Sequence, residues 1–356
     1  MSSYFDKLRK LEGAIKVGEG DPLLNCLQTP SPSMNWAFAI PGHGLPFGYS
    51  MMLYGPPKGG KSIICNAIVG QLHKDDPEAL AVVFNTELRG EIQSNTKQLQ
   101  TWGIDENRFI VFNVNQPELI FDRIENDIAA ACQAGDKIKL IVIDSLKGIQ
   151  GRRAMNATTV LQQQIGDEAA TVQDGLKRIL PVIRKYKIAL VLTTHVRAEI
   201  DPREQMRGKT IKMASAWASK HMAEFFVYTE PNLSKEGRTT LAGEEFVDES
   251  TKDLMDKAQK TAHKVRFRVE ASTLGPAGRT AEFTLDYSRG IINTYEEVFA
   301  LGKNLGIIQK PNQVTYQYKD KSWRGLSNCL IALRDEPELV REILQEIYSK
   351  DCGGIK

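Results

Sequence analysis

The octapeptide Gly55-Pro56-Pro57-Lys58-Gly59-Gly60-Lys61-Ser62 lies between two apolar runs, one from Met51 to Tyr54 and one beginning at Ile63. It satisfies the spacing G-x-x-x-x-G-K-[ST], which restricts the local fold to a strand, a tight loop and a helix. Glycines let the backbone curl until its N–H groups converge, and the N-terminus of the following helix adds positive potential at that point. A nucleotide polyphosphate fits such a cradle. The Lys61 ammonium would reach the β- and γ-phosphates, the Ser62 hydroxyl would ligate Mg2+, and Gly55 to Ile63 would line the loop. An accidental glycine turn needs neither the strand before it nor the helix after it, and both are predicted.

The middle of the chain repeats this rhythm. Short apolar runs predict strands at Met51 to Tyr54, Ala81 to Thr86, Phe109 to Phe112, Leu140 to Ser145 and Ile188 to Thr194. Helical patterns fall between them, at Lys61 to Leu72, Glu91 to Thr101, Glu118 to Ala134 and Asp167 to Tyr186. Alternation of this kind predicts an α/β fold, a mostly parallel sheet with helices on both faces. After His195 three strands follow without long helices, Glu224 to Thr229, Lys264 to Glu270 and Thr280 to Tyr287, which predicts an antiparallel extension at the sheet edge.

Three polar groups stand where these strands end. Asp144 closes "IKLIVIDSL", a position from which a carboxylate can hold a Mg2+-bound water. Glu87 stands just beyond "AVVFNT", placed to orient and deprotonate an attacking water. His195, after Thr194 at the end of "IALVLTTHVR", is placed to sense loss of a γ-phosphate. Two segments after such strand ends are basic: Lys147, Arg152 and Arg153 in one, with no acid before Asp167, and Arg207, Lys209 and Lys212 in the other. Open α/β sheets place ligands at this end, and basic glycine-containing loops neutralise backbone phosphates with little regard to base sequence. A formal net charge of +2 excludes wholesale coating of a polyanion, so any nucleic-acid contact is local to such loops.

Two appendages flank the core. Phe5, Leu8, Leu11 and Ile15 recur at helical spacing with Ser3 as N-cap, a helix that packs either on its own domain or on another subunit, followed by a linker to residue 34. Helical patterns at Thr294 to Leu305 and Pro337 to Tyr348 enclose the hairpin "VTYQYKDKSWRG". Its Tyr316, Tyr318 and Trp323 interleave with Lys319, Lys321 and Arg324, as suits either base stacking or a small core with a basic rim. Domains are therefore expected at 1–34, 35–293 and 294–356, with an acidic-leaning surface insertion at about 230–262 that carries a helix from Thr251. The 5 cysteines form no C-x-x-C pair, and neither a signal peptide nor a membrane-length apolar run is present. A soluble protein of a reducing, cytoplasmic compartment is expected.

The order of these elements resembles the RecA family of recombinases, and more closely the UvsX-type strand-exchange recombinases of tailed phages. The resemblance runs from about Gln28 to Tyr348. It is carried by the phosphate loop, "FNTE", "LIVIDSLKG", "IGDEAATVQDGLKRILPVIRKYKIALVLTTHVR", "AEFTLDYSRGIINTYEEVFALGKNLGII" and "YQYKDKSWRG". It implies a RecA-like P-loop ATPase core with an N-terminal helix that packs protomers together and a small α+β C-terminal domain. ATP and Mg2+ are the implied cofactors, with Lys61 on the phosphates, Ser62 and Asp144 on the magnesium side, and Glu87 activating water. His195 matches the position that links the nucleotide to the DNA loops. Those loops match roughly Lys147 to Gly166 and Arg197 to Ala214, which adds Arg197 and Gly208 to the DNA-binding candidates.

The implied partners are single-stranded DNA, homologous duplex DNA and further copies of the chain in a helical filament, with single-strand-binding and loading proteins in a phage-infected bacterial cytoplasm. The implied activity is DNA-dependent ATP hydrolysis with homologous pairing and strand exchange. Two departures stand out. Ala271 and Thr273 fall where the bacterial proteins carry lysines that reach a neighbour's γ-phosphate, which leaves Arg279, or Lys264, Arg266 and Arg268, as substitutes. The usual adenine-stacking aromatic after Glu87 is missing, with Tyr287 of a neighbouring subunit as its replacement. Two alternatives follow: a weakly hydrolysing ATP-binding DNA filament scaffold or mediator, or a ring-forming helicase of the same superfamily.

Overall fold

The computed structural model describes residues 25–57, 59–88, 96–151, 167–198, 203, 206, 211–213, 222–232, 238–240 and 260–352. In chain order the elements begin with β1 (Cys26–Leu27), α1 (Pro32–Ala37), β2 (Leu45–Pro46), β3 (Ser50–Gly55), α2 (Lys61–Asp75), β4 (Leu80–Asn85) and α3 (Thr96–Thr101). They continue through β5 (Phe109–Asn113), α4 (Pro117–Asp122), a π-helical stretch (Arg123–Ile128), α5 (Ala129–Ala134), β6 (Ile138–Asp144), α6 (Asp167–Tyr186) and β7 (Ala189–Ala198). Then come β8 (Ile211–Met213), β9 (Phe225–Asn232), β10 (Arg238–Thr240), β11 (Lys260–Ser272), β12 (Thr280–Asp286) and β13 (Gly290–Ile292). The chain closes with α7 (Thr294–Asn304), β14 (Thr315–Tyr318), β15 (Lys321–Arg324), α8 (Leu326–Asp335) and α9 (Pro337–Cys352).

Among the described residues one sheet runs in the order β13-β12-β11-β9-β3-β7-β6-β4-β5, with β10 on β11 and β8 on β7. From β5 to β9 every neighbouring pair is parallel. The mixed, mostly parallel sheet predicted from the apolar rhythm is therefore present. One detail differs. The strand predicted at Glu224 to Thr229 was expected to be antiparallel, but β9 runs parallel to β3, with Met51 opposite Phe225 and Tyr54 opposite Tyr228. The chain between Ala198 and Phe225 is long enough for a crossover. The two strands are tied where they start, since the Ser50 backbone N–H donates to the Glu224 carboxylate at 2.7 Å. Apart from the short β8 on β7, antiparallel pairing starts where β11 meets β9 and continues through β12 and β13.

The central strands are apolar on both faces because both faces are covered. Leu53, Val83, Val142 and Val191 face one core with Ile64, Ile68 and Leu72 of α2. Met52, Phe84, Ile141 and Leu192 face another with Ile120 and Phe121 of α4 and Leu176, Ile179 and Ile183 of α6. Each such fully buried side chain contributes about 1.5–3 kcal/mol. Helices α4 and α6 meet closely at Gly175, where an added Cβ would lie 2.3 Å from the Phe121 ring.

A third core joins α7, α8, α9 and the β14–β15 hairpin around Val298, Ile308, Cys329, Leu333, Ile343 and Ile347. Helix α8 was not anticipated, since only Cys329 and Leu333 on it are buried. Tyr316 and Tyr318 are 7% and 3% exposed inside this core. Lys319 and Lys321 pair with Glu342 and Glu336. Of the two readings of the hairpin, the small core with a basic rim is the one seen.

The stretch expected to be a linker is structured in its described part, from residue 25 onward. Cys26–Leu27 pairs with Leu45–Pro46, and Ser31 caps α1, accepting from the Met34 N–H at 3.1 Å. Helix α1 wedges between the sheet and the third core. Ser31 and Ser33 donate their hydroxyls, both at 2.5 Å, to one oxygen of Glu297 on α7. Full burial pushes the Glu297 carboxyl up to about 7, against the lowering effect of those hydrogen bonds. The N-terminal helix through Phe5 to Ile15 and the helix from Thr251 lie outside the described residues.

Candidate functional site

The phosphate loop begins where β3 ends. Gly60 adopts φ 81°, a left-handed conformation that glycine takes without strain. It stands at the head of α2 where no side chain caps the helix, so the first N–H groups of α2 are left for an anion. Gly55 also has to be glycine, because a Cβ there would lie 2.1 Å from the Thr229 carbonyl oxygen. Lys58 lies outside the described residues. Lys61 is only 6% exposed and curls back over the loop, donating to the carbonyls of Gly55 at 3.1 Å and Pro56 at 2.9 Å. Burial lowers its pKa, while Asp144 and Glu87 act to raise it. Such an ammonium is balanced by acids on one side and loop carbonyls on the other.

The strand ends then converge. Sheet order puts β7 between β3 and β6, so the ends of the phosphate-loop strand and the Asp144 strand stand on either side of it. The Ser62 hydroxyl donates to Asp144 Oδ2 at 2.6 Å, and the Thr193 hydroxyl donates to Asp144 Oδ1 at 2.5 Å. Glu87 is held by two donors on a single oxygen, the Ser145 hydroxyl at 2.9 Å and His195 Nε2 at 2.7 Å. His195 Nδ1 is 3.4 Å from Lys61 Nζ. An ammonium can only donate, so Nδ1 is the accepting nitrogen towards Lys61 and Nε2 the donating one towards Glu87. Behind this group, the Ser145 backbone N–H donates to Thr86 Oγ1 at 2.9 Å and ties the ends of β4 and β6 together.

Lys61, Ser62, Glu87, Asp144 and His195 line a cleft of about 450 Å³ together with Gly59, Asn66, Asn85, Trp102 and Tyr287, with Ser145 and Thr193 buried behind it. Tyr287, predicted to act from a neighbouring subunit, stands in its own chain's cleft, 44% exposed and with its ring centroid 5.3 Å from that of buried His263. The reason is topological: β12 ends beside the phosphate loop, as the closeness of Leu285 to Gly60 shows. Trp102, Asn66, Asn85, Ser145 and Thr193 were not singled out from the sequence. Trp102 follows α3 and is an aromatic of the cleft lining; the others needed the sheet order.

Arg279 sits just before β12, its guanidinium 4.4 Å above the Trp36 ring and donating to the Trp36 carbonyl at 3.0 Å. Arg266 pairs with Glu230 at 3.0 Å, and Arg268 pairs with Glu270. Of the DNA-binding candidates, Lys147 is exposed in the 3-10 turn after β6. Arg197 is exposed on β7, whose register sets it opposite Lys212 of β8. Arg152, Arg153, Arg207, Gly208 and Lys209 lie outside the described residues. Among the described residues no helix is long and apolar enough to cross a membrane.

Mg2+ and a nucleoside triphosphate fit this arrangement. The uncapped N-terminus of α2 and the glycine backbone suit phosphates. The Ser62 hydroxyl and the Asp144 carboxylate stand together at the head of α2, as suits a hydrated ion carried by phosphate oxygens.

The RecA N-terminal domain family matches residues 7–216. Among curated proteins, the chain is 23% identical over 344 residues to Protein RecA of Clostridium tetani, covering 94% of this chain and 86% of that one. It is 21% identical over 362 residues to Protein RecA of Thermus aquaticus, covering 97% and 95%. Protein RecA of Thermus thermophilus is 22% identical over 321 residues, covering 90% and 84%.

Proposed function

The chain belongs to the RecA family, and on that premise we propose that it is an ATP-dependent recombination protein that forms a helical filament on single-stranded DNA and catalyses homologous pairing and strand exchange. The observation that carries this reading is the contact of His195 with both Glu87 and Lys61, beside the Ser62–Asp144 pair. One imidazole there touches the candidate water-activating carboxylate and the candidate γ-phosphate lysine. Its own strand continues directly to Arg197 and the segment expected to hold DNA.

In this reading Lys61 exchanges its carbonyl partners for phosphate oxygens when ATP binds, and the N–H groups at the head of α2 take the remaining negative charge. Mg2+, when bound, would supply neutralisation of phosphate charge. Ser62 would ligate it, and Asp144 would accept from a water on it. Glu87, aimed by Ser145 and His195, takes a proton from the attacking water. Withdrawal of Lys61 from His195 on ATP binding is then felt at β7, so that DNA affinity depends on the nucleotide state.

The histidine at 195 and the hairpin "YQYKDKSWRG" support a UvsX-type phage recombinase, which acts in the cytoplasm of an infected bacterium with homologous duplex DNA, single-strand-binding and loading proteins as partners. The three-part organisation at 1–34, 35–293 and 294–356 is part of the same proposal. Lys61→Ala, folded as the wild type, is expected to abolish ATPase and strand exchange together; full ATPase activity in that variant sinks the assignment. A second reading, a weakly hydrolysing filament scaffold, is favoured by Ala271 and Thr273, together with the pairing of Arg268 to Glu270 and of Arg279 to Trp36. Filament assembly with ATP at a turnover equal to that of Glu87→Gln selects it.

A further inference from the structure

We infer that Thr193 is the positioning residue that fixes the Asp144 carboxylate for the metal carried with the nucleotide, a role that rests on the nucleotide-binding reading above. The strand pattern makes this residue unusual. Along β7 the side chains alternate between two apolar cores: Leu190 and Leu192 belong to one, Ala189 and Val191 to the other. Strand alternation continues the second row to Thr193 and then to His195. Thr193 is 0% exposed, so a valine would fill its place without burying a hydroxyl. A threonine at the end of an otherwise apolar row calls for a partner, and that partner is Asp144 Oδ1 at 2.5 Å.

The geometry explains why the carboxylate needs such support. Asp144 ends β6, whereas Ser62 follows β3, and β7 lies between them. Spanning that strand leaves the carboxylate above the β7 backbone, where Thr193 stands opposite Leu53 of β3. With Oδ1 held by Thr193, Oδ2 is directed at the Ser62 hydroxyl, 2.6 Å away. Two residues further along the same row, His195 holds Glu87. One face of β7 thus supports both the metal-side carboxylate and the water-activating carboxylate. Groups that orient a metal-site carboxylate without touching the ion affect metal affinity strongly, typically by 10–100-fold.

The test uses the full chain with Thr193→Val, which keeps the shape and removes the hydroxyl, and Thr193→Ser, which keeps the hydroxyl and removes a methyl. Binding of a fluorescent ATP analogue is titrated in EDTA and then against Mg2+, with the thermal midpoint of each protein as a check on packing. Thr193→Val is expected to raise the half-saturating Mg2+ concentration by about tenfold while binding in EDTA is unchanged, and Thr193→Ser is expected to restore the wild-type Mg2+ dependence. An unchanged Mg2+ dependence in Thr193→Val overturns the inference, as does an equal change in Thr193→Val and Thr193→Ser, which marks a packing effect. Those outcomes leave the wild-type protein binding Mg2+-nucleotide; a wild type with no Mg2+-dependent binding removes the functional reading itself and this role with it.

Discussion

His195 Nε2 lies 2.7 Å from Glu87 Oε1, and the other nitrogen of the same ring lies 3.4 Å from Lys61 Nζ. The imidazole therefore spans the gap between the residue expected to bind the γ-phosphate and the one expected to activate water. Replacing His195 with alanine removes one of the donors that aim Glu87 and leaves the Ser145 hydroxyl in place. DNA-stimulated ATP turnover is expected to fall by about 10–100-fold, less than the 10²–10⁴-fold roughly expected when Glu87 itself becomes glutamine. Steady-state ATPase assays on both variants check the order; a smaller effect from Glu87→Gln than from His195→Ala contradicts a water-activating Glu87 aimed by His195.

The loop geometry gives a second prediction. Gly60→Ala places a side chain at φ 81° with its Cβ 2.2 Å from Leu285 Cδ2. The left-handed conformation alone costs about 1–2 kcal/mol, and Leu285 has to move as well. Nucleotide affinity is expected to drop severalfold or more, together with a lower thermal midpoint. Unaltered nucleotide binding in a folded Gly60→Ala protein shows that the loop does not hold the phosphates in this conformation.

Glu297 predicts a pH dependence. Burial raises its folded pKa from 4.5 to about 7, so the folded state holds this proton over a window in which the unfolded chain has lost it. Stability is fully supported below about pH 4.5 and declines as pH rises toward 7, by about 3 kcal/mol in total for a shift of this size. Ser31, Ser33, Glu296 and Tyr348 are the groups that act on it or feel its charge. Glu297→Gln keeps an acceptor for the two serine hydroxyls and removes the titration, so denaturation midpoints measured from pH 5 to 8 are expected to vary less than in the wild type. A slope equal to the wild type's contradicts the assignment.

The hairpin supplies a contrast between packing and DNA contact. Tyr316 is 7% exposed, with its ring centroid 5.2 Å from that of Phe299. Tyr316→Ala is expected to destabilise the C-terminal core by about 3–5 kcal/mol. Proteolysis of the variant would then release or degrade residues of this region first. A stable Tyr316→Ala protein with weaker single-stranded DNA binding returns the hairpin to the base-stacking reading.

Much of the fold was legible because the central strands are buried on both faces and read as continuous apolar runs between helical patterns. Phosphate loop, Asp144 and Glu87 could be placed because each marks the end of such a run. The direction of β9 was not legible, since its apolar alternation is the same whichever way it runs, and only the register of Met51 with Phe225 decides. Thr193 and Ser145 escaped notice for a related reason. Each looks like an ordinary polar end to an apolar segment until β7 is known to lie between β3 and β6. That Tyr287 stands beside its own chain's phosphate loop was not legible, because no local signal tells where β12 ends relative to that loop.

The central claim, a nucleotide site coupled to DNA through one wall of β7, is tested most directly by measuring ATP turnover of the full-length wild type and of Glu87→Gln with and without single-stranded DNA, alongside binding of a fluorescent ATP analogue. The expected result is turnover that rises with DNA in the wild type, and, in Glu87→Gln, retained nucleotide binding with turnover lost under both conditions. Wild-type turnover that is indifferent to DNA, or a Glu87→Gln protein that hydrolyses ATP as fast as the wild type, would contradict it.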